Sequence, residues 1–343
     1  MNVTTGFRAC IVSSALLLGL TLGATPLHAA EPQLLKLGIG LPAESVQGRA
    51  VLDFAERVAR YTDGKLRIEL HAAGTLGNDV TMLQALRDQR QAMTAPDSST
   101  LAPLEKAFSA INYPFTFFNE AEADAVLDGP WGQRLLERLP QHGLVGLVYW
   151  ENGFRHLTNQ RHAIHSVADF SGLKMRTMQN PMLVDSFARL GFEPVPMPFT
   201  QVYEALRSQA VDGQENPLPT ILTSRFYEVQ KFLTLSRHIY SVHVLLINKP
   251  LWDSFDAPTQ AALKRAATES RDVERRLSRA AADKALAELQ AKGMQVTSIP
   301  RADAERIRNR LRGVFDKHNQ DIGSTTVIEL YLELGRLRTA APR

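Results

Sequence analysis

Four segments between residues 150 and 217 decide the fold: WENGFRHLTN (150–159), GLKMR (172–176), PMPFTQVY (196–203) and VDGQENP (211–217). The apolar run at residues 144–150 is typical of a strand, and residues 173–176 form a second short strand. A capped helix follows from Thr200 to Ser208. Strands and helices therefore alternate through this part of the chain.

The same alternation is found closer to the N-terminus. Residues 34–41 are predicted as a buried strand, residues 45–62 as a helix and residues 65–70 as a strand with one buried face. Another helix begins at residues 77–79, where Asn78 or Asp79 can cap it. This order predicts an α/β fold with doubly wound sheets.

A long helix is predicted in the last third of the chain, because residues 259–292 contain neither glycine nor proline. At 1.5 Å per residue such a helix is roughly 50 Å long, which exceeds one small domain. We therefore expect it to lie along two domains. Gly293 ends it, and residues 294–299 are predicted as a strand.

The first 30 residues have the pattern of a secretory signal peptide. Arg8 is their only charged residue, an apolar run follows at residues 11–20, and small residues end the segment at Ala29 and Ala30. The single cysteine, Cys10, lies upstream of the apolar run, so we expect neither a lipoprotein nor a disulfide in the mature chain. A large exported protein without disulfides is expected in a bacterial periplasm.

The charge balance excludes some partners. The chain has 39 basic and 36 acidic residues, a net charge of +3 at pH 7, with no arginine-rich block suited to nucleic acid. No other stretch is apolar and long enough for membrane insertion of the mature chain. About 310 mature residues suit two domains rather than one core.

Arg176 is the first candidate for ligand recognition. It follows an apolar strand, and open α/β sheets bind ligands at the carboxyl ends of their strands. A guanidinium can donate two parallel hydrogen bonds to a carboxylate. From position alone, a surface arginine paired with a nearby acid remains the alternative.

The four segments, in this order and spacing, resemble the solute-binding subunits of tripartite ATP-independent periplasmic (TRAP) transporters, the DctP-type family. The similarity extends to GND at residues 77–79 and to FYEVQK at residues 226–231, so it covers essentially the whole mature chain. It implies a two-lobe periplasmic binding protein fold, with crossing hinge segments and a long helix spanning both lobes. It also implies a receptor that captures a small organic acid and no cofactor.

The resemblance implies roles for individual residues. Arg176 matches the arginine that forms a two-pronged salt bridge with the ligand carboxylate, and Arg155 matches a second, supporting arginine. Asn216 matches an asparagine that donates to the carboxylate, and Phe199 an aromatic residue that packs on the carbon skeleton of the ligand.

The acidic contacts are implied less directly. Asp79 and Asp97 fall where the sialic-acid binders of this family carry polar contacts, but Gly40 stands where those proteins have an asparagine. This departure argues against sialic acid. Tyr240, or His238, is a further candidate to line the cleft, because each follows an apolar strand region.

By resemblance, residues 31–153 and 243–281 form lobe I, residues 154–242 and 282–335 form lobe II, and residues 336–343 form a C-terminal tail. The lobes would close around the acid by a hinge motion. The closed form would then deliver the acid to the small and large TRAP membrane subunits.

Other functions receive less support from the sequence. A periplasmic enzyme or a sensor-linked receptor for an organic acid remains the alternative. The glycines at 38 and 40 are a weak dinucleotide motif interrupted by Pro42, and the histidine pairs 162/165 and 238/243 lack the spacing of a zinc site. No serine-nucleophile motif is present. The acid itself stays open between a C4-dicarboxylate and a sugar acid or other organic acid.

Overall fold

A computed structural model describes residues 1–2, 6 and 31–340. The predicted signal peptide, residues 1–30, lies almost entirely outside the described residues. From Pro32 onward the described chain forms one compact unit. No helix in its described part is both long and apolar enough to cross a membrane.

The described strands form one nine-stranded sheet. They are β1 (Gln33–Gly38), β2 (Leu66–His71), β3 (Met93–Thr94), β4 (Leu144–Asn159), β5 (Lys174–Thr177), β6 (Glu193–Pro196), β7 (Gly213–Pro217), β8 (Phe232–Asn248) and β9 (Gln295–Ser298). The order is β2-β1-β3-β8-β4-β7-β5-β6, and β9 pairs with β8. β1 pairs in parallel with β2 and β3, and β5 with β6 and β7, as in doubly wound folds.

Two long antiparallel strands join the two parallel parts of the sheet. β4 has 16 residues and β8 has 17, and they pair from Leu144 opposite Asn248 to Asn159 opposite Phe232. The sequence predicted doubly wound sheets joined by crossing segments, and only the first half of β4 as a strand. The sheet is continuous because both of these strands cross from one parallel part to the other.

Twelve α-helices cover the described part of the sheet. They are α1 (Val46–Tyr61), α2 (Asp79–Arg87), α3 (Ser98–Leu101), α4 (Glu120–Asp128), α5 (Pro130–Leu136), α6 (Pro181–Leu190), α7 (Val202–Arg207), α8 (Leu218–Thr223), α9 (Lys249–Ser254), α10 (Ala257–Ala291), α11 (Arg301–Ile322) and α12 (Ser324–Ala340).

Helix α10 confirms the long helix predicted in the last third of the chain. Its 35 residues begin after Asp256, whose side chain accepts a hydrogen bond from the amide of Thr259. It packs against α1, β4 and α8, and thus against elements of both predicted lobes. Arg275 on this helix forms an ion pair with Asp128 of α4 (Nη1–Oδ2, 2.6 Å).

Separate apolar clusters support the two ends of the sheet. One contains β1, α1 and the start of α10, and two others surround α6 with α11 and α7 with the end of α10. The lobe boundaries remain a prediction. Helix α12 continues to Ala340, and Arg338 contacts Glu122 (Nη2–Oε2, 2.8 Å), so residues 336–340 of the predicted tail belong to a packed helix.

Gly213 provides a test of this packing. A Cβ atom at this position would lie 2.1 Å from the carbonyl oxygen of Thr158 on β4 and 2.7 Å from the sulfur of Met175 on β5. We expect Gly213→Ala to lower the free energy of unfolding by about 1–3 kcal/mol, because the Thr158 carbonyl oxygen cannot yield without moving β4. Urea unfolding of the mature chain measures it.

Gly313→Ala is the matched control. Gly313 lies within α11, and its added Cβ would meet no atom within 4 Å. We expect this change to raise the free energy of unfolding by about 0.5–1 kcal/mol, since alanine favours a helix. Equal effects of the two substitutions would contradict the close approach of β4, β5 and β7.

Candidate functional site

A cleft lies where the parallel strands β1 and β5 end. It encloses about 600 Å³, including its opening to solvent. Six of the seven predicted site residues line it: Asp79, Asp97, Arg155, Arg176, Phe199 and Asn216.

Arg176 is a buried cation in this cleft. It lies on β5 opposite Val195 of β6, one residue before the strand ends, and it is 3% exposed. Its Nε and Nη2 donate to the carbonyl oxygen of Met197 at 3.1 and 2.9 Å. Within the described residues, no carboxylate oxygen lies within 4.0 Å of its guanidinium nitrogens, and Nη1 donates no hydrogen bond. Burial lowers the pKa of Arg176 to about 10, so it is still a cation at neutral pH.

Arg155 differs because its charge is compensated within the protein. It lies on β4, is 1% exposed, and its Nη2 donates to Oε1 of Glu215 at 2.8 Å. The same nitrogen contacts the Glu215 carbonyl oxygen at 2.6 Å, and Nη1 contacts Ser241 at 3.3 Å. Although burial opposes it, the Arg155 guanidinium lowers the pKa of Glu215 to about 2. The predicted role of Arg155 beside a carboxylate is therefore limited by Glu215.

Glu215 was missed by the sequence analysis, although it stands next to Asn216 in the VDGQENP segment. Asn216 accepts from Arg155 Nη2 at 3.1 Å and donates to Gln214 Oε1 at 2.5 Å. Gln214 in turn donates to the hydroxyl of Thr158 at 2.9 Å. These bonds hold Asn216 at the wall of the cleft.

The two predicted aspartates also line the cleft, but their environments differ. Asp97 caps α3, accepting from the amide of Ser99 at 2.9 Å, and its other oxygen accepts from Asn152 Nδ2 at 3.0 Å. Asp79 is the first residue of α2, and its carboxylate lies close to Asp97 and to Arg176. Burial and the nearby charge of Asp97 raise the pKa of Asp79 to about 7.

Gly40 allows the two sides of the cleft to meet. A Cβ atom there would lie 3.1 Å from Oδ1 of Asp79 and 4.0 Å from the ring of Phe199. A Cβ atom at Gly74 would lie only 2.7 Å from Cγ2 of Thr200. Loops of predicted lobe I therefore contact the Phe199–Thr200 turn of predicted lobe II.

Tyr240 is not in the cleft, which corrects the prediction made for it. Its hydroxyl donates to Oε2 of Glu151 at 3.1 Å, and its ring packs against Phe117 and Phe154. Side chains alternate along β8, and the one that reaches the cleft is His243. Burial lowers the pKa of His243 to about 4, so the ring is neutral. His238 instead contacts Ser236 and lies 3.5 Å from Glu215.

Within the part of the chain that the structure describes, no group of three or more histidine, cysteine, aspartate or glutamate side chains is arranged to hold a metal ion.

Asn152 and Gln47, which the sequence analysis did not single out as binding residues, also line the cleft. Asn152 could have been found from its place in the WENGFR segment. Gln47 carries no such signal, because it stands in an ordinary helix turn.

Comparisons with known proteins agree with this architecture. A family model described as bacterial extracellular solute-binding protein, family 7 (DctP), matches residues 37–321. The 2,3-diketo-L-gulonate-binding periplasmic protein YiaO of Escherichia coli is 34% identical over 287 residues, which are 83% of this chain and 88% of that protein. The C4-dicarboxylate-binding periplasmic protein DctP of Rhodobacter capsulatus is 31% identical over 323 residues, 91% of this chain and 96% of that protein.

Among solved structures, the sugar acid binding protein DctPAm of Advenella mimigardefordensis, in complex with galactonate, superposes with a TM-score of 0.87. It is 38% identical, and the match covers 89% of this chain and 99% of that one. The predicted resemblance and the two-lobe α/β fold are confirmed: the chain belongs to the DctP family, family 7 of the bacterial extracellular solute-binding proteins.

Proposed function

We propose that this chain is the receptor of a TRAP transporter and binds a hydroxylated monocarboxylic acid of the sugar-acid type. The observation that carries the proposal is Arg176, a buried guanidinium without an ion-pair partner within the described residues. An uncompensated buried charge is unfavourable, and a bound carboxylate offsets that cost. A ligand anion would accept from the terminal nitrogens that Met197 leaves available.

The other charges favour hydroxyl groups over a second carboxylate. Glu215 neutralises Arg155, while Asp79 and Asp97, the latter 3.8 Å from Nη1 of Arg155, place further acceptors in the cleft. A second carboxylate near this pair would be repelled, whereas ligand hydroxyls can donate to it. The relatives support acids in general: galactonate is bound in the structure of DctPAm, and the R. capsulatus protein is named for C4-dicarboxylates.

Closure of the lobes would complete the site. Arg176, Phe199 and Asn216 would capture the carboxylate on lobe II, and the aspartates of lobe I would reach the hydroxyls as the lobes meet. The contacts at Gly40 and Gly74 support this closed arrangement. Exclusion of water strengthens the interaction of Arg176 with an anion. This is capture without a covalent step, so we propose a receptor rather than an enzyme.

Export and delivery follow from the same proposal. The segment at residues 1–30 would direct the chain to the periplasm and be removed there. The closed, loaded receptor would dock on the small and large TRAP membrane subunits. Support for this step comes from the family to which the chain belongs.

Arg176→Ala tests the proposal. We expect binding of D-galactonate to become at least about 100-fold weaker, since two charge-assisted hydrogen bonds of about 1.5–3 kcal/mol each are lost. Because Arg176 has no acidic partner within the described residues, we expect the unliganded variant to unfold at the wild-type temperature or above it. Isothermal titration calorimetry of the mature chain measures the affinity.

Arg207→Ala is the matched control, because Arg207 is an arginine of the same predicted lobe whose side chain is 62% exposed and paired with Glu204. This variant should bind like the wild type. Unchanged affinity of Arg176→Ala for every acid that the wild type binds would disprove the proposal.

The pKa of Asp79 predicts how acid selectivity changes with pH. Asp79 is ionised above about pH 7 and neutral below it. Protonation removes one of two negative charges, so the ratio of succinate affinity to galactonate affinity should increase between about pH 8 and about pH 6. In Asp79→Asn that increase should be much smaller, after correction for the protonation of succinate itself. If the ratio depends on pH equally in the wild type and in Asp79→Asn, Asp79 does not contribute to ligand selection.

A further inference from the structure

Glu274 is a buried acid that the proposed binding mechanism does not use. It lies in the middle of α10 and is 1% exposed. Glutamate is almost never buried this completely without a partner. Burial raises the pKa of Glu274 well above its usual value, which favours the neutral carboxyl group.

The partner of Glu274 is a backbone group of β4. Its Oε2 accepts a hydrogen bond from the amide of Glu151 at 2.7 Å. The two residues are 123 positions apart in the sequence, so the contact ties the long helix to the central strand. A buried amide needs such an acceptor, because an unmade hydrogen bond there is costly.

The amide of Glu151 lies at a β-bulge. Glu151 is opposite Val242 and Gly153 is opposite Ser241, so Asn152 is an extra residue without a partner on β8. Gly153 has a φ of +105°, which favours glycine. A bulge changes the direction of a side chain relative to the regular alternation of a strand.

At this bulge the side chain that reaches the cleft is Asn152. Its Nδ2 donates to Oδ2 of Asp97 at 3.0 Å, and both residues line the cleft. The other oxygen of Asp97 accepts from the amide of Ser99. Nη1 of Arg155 lies 3.8 Å from the Asp97 oxygen that Asn152 contacts. The orientation of this carboxylate therefore depends on a cap within its own helix, on Asn152 and on the charge of Arg155.

We propose that Glu274 is a positioning residue for ligand selection: by holding the amide of Glu151 it maintains the bulge that directs Asn152 to Asp97, and thereby sets the preference of the cleft for hydroxylated acids. The inference rests on the proposed function, since it concerns the same cleft. Glu274 acts through Asn152 and Asp97, without touching the ligand.

Two substitutions separate this role from a general role in packing. Glu274→Gln keeps an oxygen acceptor and the shape of the neutral carboxyl group, whereas Glu274→Leu removes the acceptor. The readout is the ratio of the affinities for D-galactonate and for hexanoate, which has the same chain length without hydroxyls. We expect glutamine to keep the wild-type ratio and leucine to lower it about tenfold. A role in packing alone would lower the unfolding temperature and leave the ratio unchanged.

A double-mutant cycle tests whether the effect passes through Asn152. Asn152→Ala should itself lower the ratio, and adding Glu274→Leu to it should change the ratio no further. A wild-type ratio in Glu274→Leu, or an additive effect in the double variant, would overturn the inference. If Glu274→Leu does not fold, Glu274→Gln is compared with Asn152→Ala. The inference then requires the wild-type affinity ratio in Glu274→Gln and a lower ratio in Asn152→Ala.

Hydrogen exchange at the amide of Glu151 provides a readout that needs no ligand. We expect faster exchange in Glu274→Leu and wild-type exchange in Glu274→Gln. If the wild type binds no hydroxylated acid, the proposed function fails whatever the exchange rates show. If the wild type binds galactonate and Glu274→Leu exchanges like the wild type, the function stands and only the role of Glu274 fails.

Discussion

The site depends on a guanidinium that the fold buries beside a carbonyl oxygen instead of a carboxylate. Arg176 donates to Met197, which follows β6, and the pairing of β5 with β6 brings these two residues together. A carbonyl dipole orients the cation without neutralising it. The positive charge therefore remains available to an anion that enters the cleft.

The surrounding charged residues determine which of the two buried arginines is available to a ligand. Arg155 is equally buried, but Glu215 occupies its donors, so the two arginines contribute differently. Among the described residues of the cleft, Arg176 is a buried cation without an acidic partner, and Asp79 and Asp97 supply acceptors in the same cleft. This matches a ligand with a single carboxylate and several hydroxyls. A buried cation and a carboxylate with a raised pKa both cost stability, and such strained electrostatics are typical of binding sites.

Much of the fold could be predicted because its elements carry local signals. Helix α1 has apolar residues at helical spacing, and the absence of glycine and proline predicted α10. The full length of β4 and β8 could not be predicted, because their polar residues are satisfied only by partners distant in sequence, such as Glu215 for Arg155. The prediction that Tyr240 lines the cleft was wrong for the same reason. Only the tertiary structure shows that its hydroxyl donates to Glu151, on the side of β8 away from the cleft. The residues that line the cleft came mainly from family resemblance, and their partners from the structure.

The most direct test of this account is a crystal structure of the mature protein with D-galactonate bound. The account predicts both carboxylate oxygens within hydrogen-bonding distance of the terminal nitrogens of Arg176, with ligand hydroxyls directed toward Asp79 and Asp97. A galactonate bound with its carboxylate away from Arg176, or a guanidinium of Arg176 paired with a protein carboxylate in the complex, would contradict it.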